Sequence, residues 1–151
     1  VVTDIGASVS YYSQRGYRTV VYIHWGQEYM QRANAVQEQM AQHLVDAGAD
    51  LVVGSHPHVF QNVTVYNGVP IIYSLGNFLF DQAFQPETQV GAVLGATLQQ
   101  NGIELFLLPV KSYLATEIMP EPEYSNLIGE WTEPWTSYQS GNQSFYFPAT
   151  N

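Results

Sequence analysis

The sequence predicts an α/β fold with a mixed sheet, and three features carry that prediction. Residues 19–23 (TVVYI) and 50–53 (DLVV) are short apolar, β-branched runs of the kind that form buried strands. Between them Tyr29, Ala33, Val36, Met40, Leu44 and Val45 recur at three- and four-residue steps, the period of an amphipathic helix. Farther on, Asn67-Gly68 separates two apolar runs, a strong short-range sign of a tight hairpin turn.

Taken in order, the first strand stops at His24-Trp25-Gly26, and the periodic segment predicts a helix from about residue 28 to 47. Gly48 is its expected stop, because glycine takes the left-handed conformation without a Cβ clash. The second strand ends in Gly54-Ser55-His56-Pro57-His58. Strand, helix, strand is a crossover unit, which implies parallel pairing and puts both strand ends on one edge of the sheet. Open α/β sheets bind their ligands at that edge. Residues 63–66 and 69–74 form the expected antiparallel hairpin, and residues 91–98 and 103–110 a second one around Asn101-Gly102. From Pro120 the chain changes character, with four prolines scattered among Tyr, Trp, Ser, Thr and Asn and no clear period. The expected organisation is a domain over residues 1–120 followed by an irregular Pro- and aromatic-rich tail, 121–151, that wraps it or contacts a partner.

Composition excludes several functions. The 151 residues carry 13 acidic against four basic side chains, a formal charge of −9. Arg15, Arg18, Arg32 and Lys111 are the whole basic complement, so no basic stripe exists to neutralise a nucleic-acid backbone. An anionic membrane surface repels such a chain within the limits of salt screening. An anionic substrate would need a metal ion to supply positive charge. With no cysteine, disulfides, thiolate metal sites and cysteine nucleophiles are absent together. No apolar run approaches the roughly 18 residues that cross a bilayer. The chain opens on Val1-Val2-Thr3-Asp4, with neither initiator Met nor leader, and reads as a processed or excised piece.

Three of the four histidines stand at predicted strand ends. Neutral imidazole is the commonest protein metal ligand, and His56-Pro57-His58 puts two such donors on one short segment. Pro57 restricts the backbone between them. The crossover topology brings His24 to the same edge as a third nitrogen. His43 falls inside the helix pattern without a partner and reads as a surface or helix-flank residue. Asn62-Val63-Thr64 and Asn142-Gln143-Ser144 fit the N-glycosylation pattern, which occurs often by chance. Ser55 beside His56 suggests a nucleophile and base, but adjacent residues rarely point at one another and no orienting acid is apparent.

Three motifs together carry a family resemblance: Ile23-His24-Trp25-Gly26-Gln27-Glu28-Tyr29, then residues 47–59 with Gly54-Ser55-His56-Pro57-His58 at their centre, then residues 72–81 with Gly76-Asn77-Phe78. In order and spacing they resemble the bacterial capsule-synthesis family called CapA, or poly-γ-glutamate synthesis proteins, within the calcineurin-like metallophosphatase superfamily. The resemblance covers residues 19–81 well and runs more loosely to about residue 110. It implies half of a metallophosphatase-like β-sandwich flanked by helices, the C-terminal half, with antiparallel hairpins. It also implies two divalent metal ions (Mn, Fe or Zn) at the strand ends of the complete domain. His24 and His56 would face one metal and His58 the other. Glu28 matches the glutamate of the family's His-Trp-Gly motif and is a candidate catalytic residue, set against its reading as an exposed first-turn carboxylate. Trp25 and Asn77, within the same motifs, are candidate substrate-binding residues. The superfamily draws its remaining ligands from an N-terminal half, as an early Asp, a Gly-Asp segment and an Asn-His pair, and none is present here. Three neutral imidazoles do not charge-balance two divalent ions, so this chain alone is expected to bind metal weakly or not at all.

Three functions follow as expectations. The first is a metal-dependent hydrolase of capsule or envelope polymer synthesis, phosphoesterase-like if an N-terminal half supplies the carboxylates. The second is a non-catalytic envelope or extracellular protein that keeps the fold. The third is a structural or adhesive module whose aromatic tail packs on another chain. The resemblance implies the N-terminal half of the same domain or precursor as partner, and an anionic polymer or phosphoester as substrate. It implies a cell-envelope or extracellular location.

Overall fold

The computed structural model describes residues 2–140 and 144–150, with side chains from residue 5 onward. Helix α1 (Val2–Ser13) leads into strand β1 (Val20–His24), helix α2 (Ala35–Asp46) and strand β2 (Leu51–Ser55). The hairpin β3 (Val63–Tyr66) and β4 (Val69–Ile72) follows, then a short 3₁₀ turn, Pro86–Gln89. A long hairpin, β5 (Val90–Gln99) and β6 (Gly102–Ser112), leads to β7 (Thr116–Ile118), α3 (Glu123–Trp131), a second 3₁₀ segment (Glu133–Tyr138) and β8 (Ser144–Pro148).

Two four-stranded sheets result. The first has the order β1-β2-β4-β3, parallel across β1, β2 and β4 and antiparallel between β3 and β4. The second is antiparallel throughout, with β5, β7 and β8 all bonded to β6. The α/β class and mixed pairing are as the sequence predicts. Asn67 and Gly68 both have positive φ, 49° and 80°, which matches the twist of a tight hairpin.

The period of two along β2 builds a three-layer arrangement. Leu51 and Val53 face inward against Ile103, Leu105 and Leu107 of β6, the core between the sheets. Val52 faces the other way, against Ala41, Leu44 and Val45 of α2 and Val9 of α1. Arg18 fastens the layers at one corner. Its guanidinium donates to Asp50 Oδ1 at 2.6 Å and to the Gln100 carbonyl at the β5–β6 tip at 2.6 Å.

Strand β1 is the exception to this closure. In register, Val20 pairs with Leu51 and Tyr22 with Val53, so all four share the inward face. Leu51 and Val53 are 1% and 4% exposed, yet Val20 and Tyr22 are 46% and 67% exposed. The second sheet does not reach over β1, and among the described residues β1 has β2 as its sole strand neighbour.

Two sequence expectations need correction. The helix does not begin near Glu28. It begins after Asn34, whose side chain accepts from the amides of Val36 and Gln37 at 3.0 Å while Gln37 reaches back to the Asn34 amide at 3.1 Å. That reciprocal capping box fixes the first turn and leaves residues 26–33 as a loop. Nor is the 121–151 segment irregular: it supplies α3, a 3₁₀ segment and β8, and it buries Trp135, Phe145 and Phe147 in the inter-sheet core. The Asn142-Gln143 part of the second glycosylation pattern lies outside the described residues.

Gly54 on β2 is required by close approach. A Cβ there would drive into the Tyr73 carbonyl oxygen and the Trp25 indole nitrogen, both fixed in the core. Gly54→Ala is therefore expected to cost roughly 1–3 kcal/mol, the usual penalty of overpacking. A chemical-denaturation midpoint that stays at the wild-type value would contradict it.

Candidate metal site at the strand ends

The parallel register brings the chemistry together. His24 ends β1 opposite Ser55, the last residue of β2, so His24 and the His56-Pro57-His58 loop leave the sheet side by side. The His24 and His56 ring centroids are 4.5 Å apart, and those of His56 and His58 6.1 Å. The loop after β4 adds Asn77 at the same edge, where its Oδ1 lies 2.9 Å from His58 Nδ1.

The backbone here is held in rarely used conformations. His56 and His58 have φ of 101° and 62°, and Tyr29 across from them 65°. Positive φ costs a residue with a Cβ of order 1–3 kcal/mol and persists where surrounding structure over-determines it, most often at functional sites. The Tyr29 amide donates to the Pro57 carbonyl at 2.7 Å, which ties the two strained loops to each other. Buried Gln61 holds the first loop from beneath, donating to the carbonyls of Met30 at 2.8 Å and Arg32 at 3.2 Å.

This loop geometry gives Glu28 a different place from a helical one. Ligand atoms of Glu28, His56 and His58 all lie within 4.8 Å of one another, while His24 stands outside that trio, against His56. Two imidazoles and one carboxylate form a donor set that suits a single zinc-like or iron-like divalent ion with open positions. Among the described residues no second grouping of this kind occurs. The chain's own donors thus fit one of the two metal ions expected for the complete domain.

Aromatic rings wall the site. Tyr29 stacks over His58 at 6.1 Å, Phe80 lies 5.0 Å from the His58 ring, and Phe84 meets Tyr29 edge-on at 5.0 Å. Gln82 donates to the Tyr29 hydroxyl at 3.2 Å. Partial desolvation, then the neighbouring Glu28 carboxylate, pushes the Tyr29 phenol above its ordinary value, so it stays a neutral hydroxyl at physiological pH.

The other candidates fall elsewhere. Trp25, a candidate for substrate binding, is packed into the core: it is 7% exposed, its indole donates to the Tyr73 carbonyl at 2.8 Å, and its ring stacks on Tyr73. Asn77, the other such candidate, is buried as well, and both ends of its amide are engaged within the protein. His43 is exposed in the last turn of α2, against Gly6 of α1, and is not grouped with the strand-end histidines. Asn62 is committed to the fold, accepting from the Ala33 amide at 2.9 Å. The Ser55 hydroxyl is 3.5 Å from the Ile23 carbonyl and is spent on the sheet. Sequence reasoning did not group Glu28 with the histidines because it extended the helix too far. The signal that would have found it is Asn34 followed three residues later by Gln37, a helix start beyond Glu28.

Residues 2–82 match the family of bacterial capsule synthesis proteins, PGA_cap. The PGA biosynthesis protein CapA of Bacillus subtilis is 47% identical over 98 residues, covering 64% of this chain and 26% of that protein. The capsule biosynthesis protein CapA of Bacillus anthracis is 44% identical over 108 residues, 72% of this chain and 26% of that protein. A probable polyglutamine synthesis accessory protein of Mycobacterium tuberculosis is 31% identical over 81 residues, 54% of this chain and 21% of that protein. The chain spans about a quarter of the length of the Bacillus relatives it matches.

Proposed function

We infer the function from the family to which the chain belongs, that of the bacterial capsule synthesis proteins. We propose that it takes part in making a capsular or cell-envelope polymer, and that it does so as the metal-binding part of a hydrolase-like domain. The observation that carries this reading is the trio Glu28, His56 and His58, gathered within 4.8 Å on strained loops at the ligand-binding edge of the sheet. The names printed for the relatives, PGA and capsule biosynthesis, support the polymer class.

A divalent ion bound there would supply Lewis acidity to a phosphoryl, ester or similar centre. The chain's residues do the rest. His56 and His58 offer neutral nitrogen donors, Glu28 offsets one unit of positive charge, and the Tyr29 hydroxyl is a neutral donor beside the carboxylate. Tyr29, Phe80 and Phe84 offer an apolar wall on one side. With a net charge of −9, the chain holds an anionic polymer or phosphoester only where a cation sits.

A further segment completes the domain in this reading. The uncovered inward face of β1, with Val20 and Tyr22 exposed, suits an added strand layer of the same domain or precursor. That layer would bring the carboxylates for a second ion. The proposed location is the cell envelope or the exterior. The same uncovered face favours a second reading, a non-catalytic envelope protein that keeps the fold for assembly.

Calorimetric titration with Zn²⁺ or Mn²⁺ separates the two. The hydrolase reading expects one equivalent bound by the chain, Glu28→Gln binding more weakly than any outer-shell variant, by about 100-fold or more, and little phosphodiester turnover without added carboxylate ligands. No metal uptake, in this chain or with the completing segment, would leave the assembly reading.

A further inference from the structure

We propose that Asn77 is a positioning residue that fixes His58 as its Nδ1–H tautomer and leaves the Nε2 lone pair as that ring's metal donor. The inference rests on the metal reading of Glu28, His56 and His58, and it extends that reading to a residue outside the donor set.

The reasoning begins with the amide, not the imidazole. The Asn77 Nδ2 group lies 2.9 Å from the Thr88 carbonyl oxygen and 3.3 Å from Gln82 Oε1. A backbone carbonyl only accepts, so the amide nitrogen must face Thr88; turning the amide over would set two oxygens against each other. The orientation of Asn77 is thus dictated by the main chain. Its Oδ1 then faces His58 Nδ1 at 2.9 Å, and an amide oxygen only accepts. His58 Nδ1 must carry the proton. In the neutral ring, Nε2 is then the unprotonated nitrogen, the form in which imidazole binds metal.

The anchor behind Asn77 is rigid. Thr88 is fully buried, and its hydroxyl sits 2.9 Å from the Gln82 carbonyl and 2.7 Å from that of Gln85, closing the loop over residues 82–88. Gly76, just before Asn77, has φ of 70° and packs against the Val90 carbonyl, so the turn cannot drift outward. Gln82 connects the same loop to the Tyr29 hydroxyl, and Tyr29 stacks over His58. Ring nitrogen and ring plane are therefore set from two sides. Metal-bound histidines commonly have such an outer partner, and its loss typically costs 10- to 100-fold in affinity.

The test reads the tautomer directly. Long-range ¹H–¹⁵N spectra of the metal-free full chain, labelled at histidine and recorded at about pH 8.5, above the ordinary histidine range, should show His58 protonated at Nδ1. Asn77→Leu, close in shape but without an acceptor, should release the ring to a mixture of tautomers. Zn²⁺ affinity should fall roughly 10- to 100-fold in Asn77→Leu. A wild-type spectrum with the His58 proton on Nε2 overturns the inference, and that spectrum needs no variant to fold. An unchanged tautomer in a folded Asn77→Leu overturns it too. If the tautomer responds as expected but wild type takes up no Zn²⁺, the metal reading fails and the positioning of His58 by Asn77 stands.

Discussion

Trp135→Ala is expected to destabilise the protein by about 3–5 kcal/mol, the largest stability effect of any single truncation we anticipate. Trp135 is the largest fully buried side chain. Its ring meets Phe145 and Phe147 of β8 edge-on, at 5.6 and 5.3 Å, and its indole donates to the Thr64 carbonyl of β3 at 3.1 Å. One side chain thus joins the 3₁₀ segment to a strand of each sheet. Truncation leaves a cavity beside Phe145 and Phe147, and it removes the partner of the part-buried Thr64 carbonyl. For a chain of this size the loss corresponds to a drop in melting temperature on the order of 10 °C. Thermal unfolding followed by circular dichroism measures it. A shift under two degrees would mean that residues 121–151 wrap the domain without belonging to its core.

That segment shows why parts of the fold were hidden in the sequence. Phe145 and Phe147 alternate with Ser144 and Tyr146, but Tyr146 is itself aromatic, so the period of two is blurred. β8 is a strand because β6 presents an edge to it, a tertiary cause that no local window contains. Helix α1 was hidden for a similar reason. Its described contribution to the core is Ile5 and Val9, too few apolar positions to declare a face. By contrast, β1, β2 and both hairpins were legible, because β-branched runs and Asn-Gly turns encode them locally.

The site was legible to the extent that topology places it. A parallel crossover brings two strand ends to one edge, and that alone predicts the closeness of His24 and His56. Side-chain commitments were not legible. Trp25 and Asn77 lie in the same motifs as the histidines, yet one is packed on Tyr73 and the other clasped between His58 and Thr88. Glu28 was assigned to a helix by period and belongs to a loop by capping. The apolar count over residues 29–45 outweighed the single polar pair, Asn34 and Gln37, that decides where the helix starts. Val36, which the period placed on the buried face, is 67% exposed.

The second large effect concerns the metal donors, and its value lies in the order of the variants. His56→Ala and His58→Ala each remove one of three donors in the trio and are expected to lower Zn²⁺ affinity by at least about 100-fold, more than the loss of an outer-shell partner. His24→Ala should act less strongly, because His24 sits beside His56 and outside the trio. His43→Ala should leave affinity unchanged, since His43 lies on α2 against Gly6. Competition against a chelating dye, with circular dichroism to confirm that each variant is folded, gives the four affinities on one scale. The order also discriminates between sites. If His24→Ala matches His56→Ala while His58→Ala is mild, the ion sits between the first two histidines, the pairing that the family resemblance implies. If His43→Ala weakens binding as much as the others, uptake is nonspecific capture by surface imidazoles. The expected ranking places the ion among Glu28, His56 and His58, where the only carboxylate of the cluster offsets its charge.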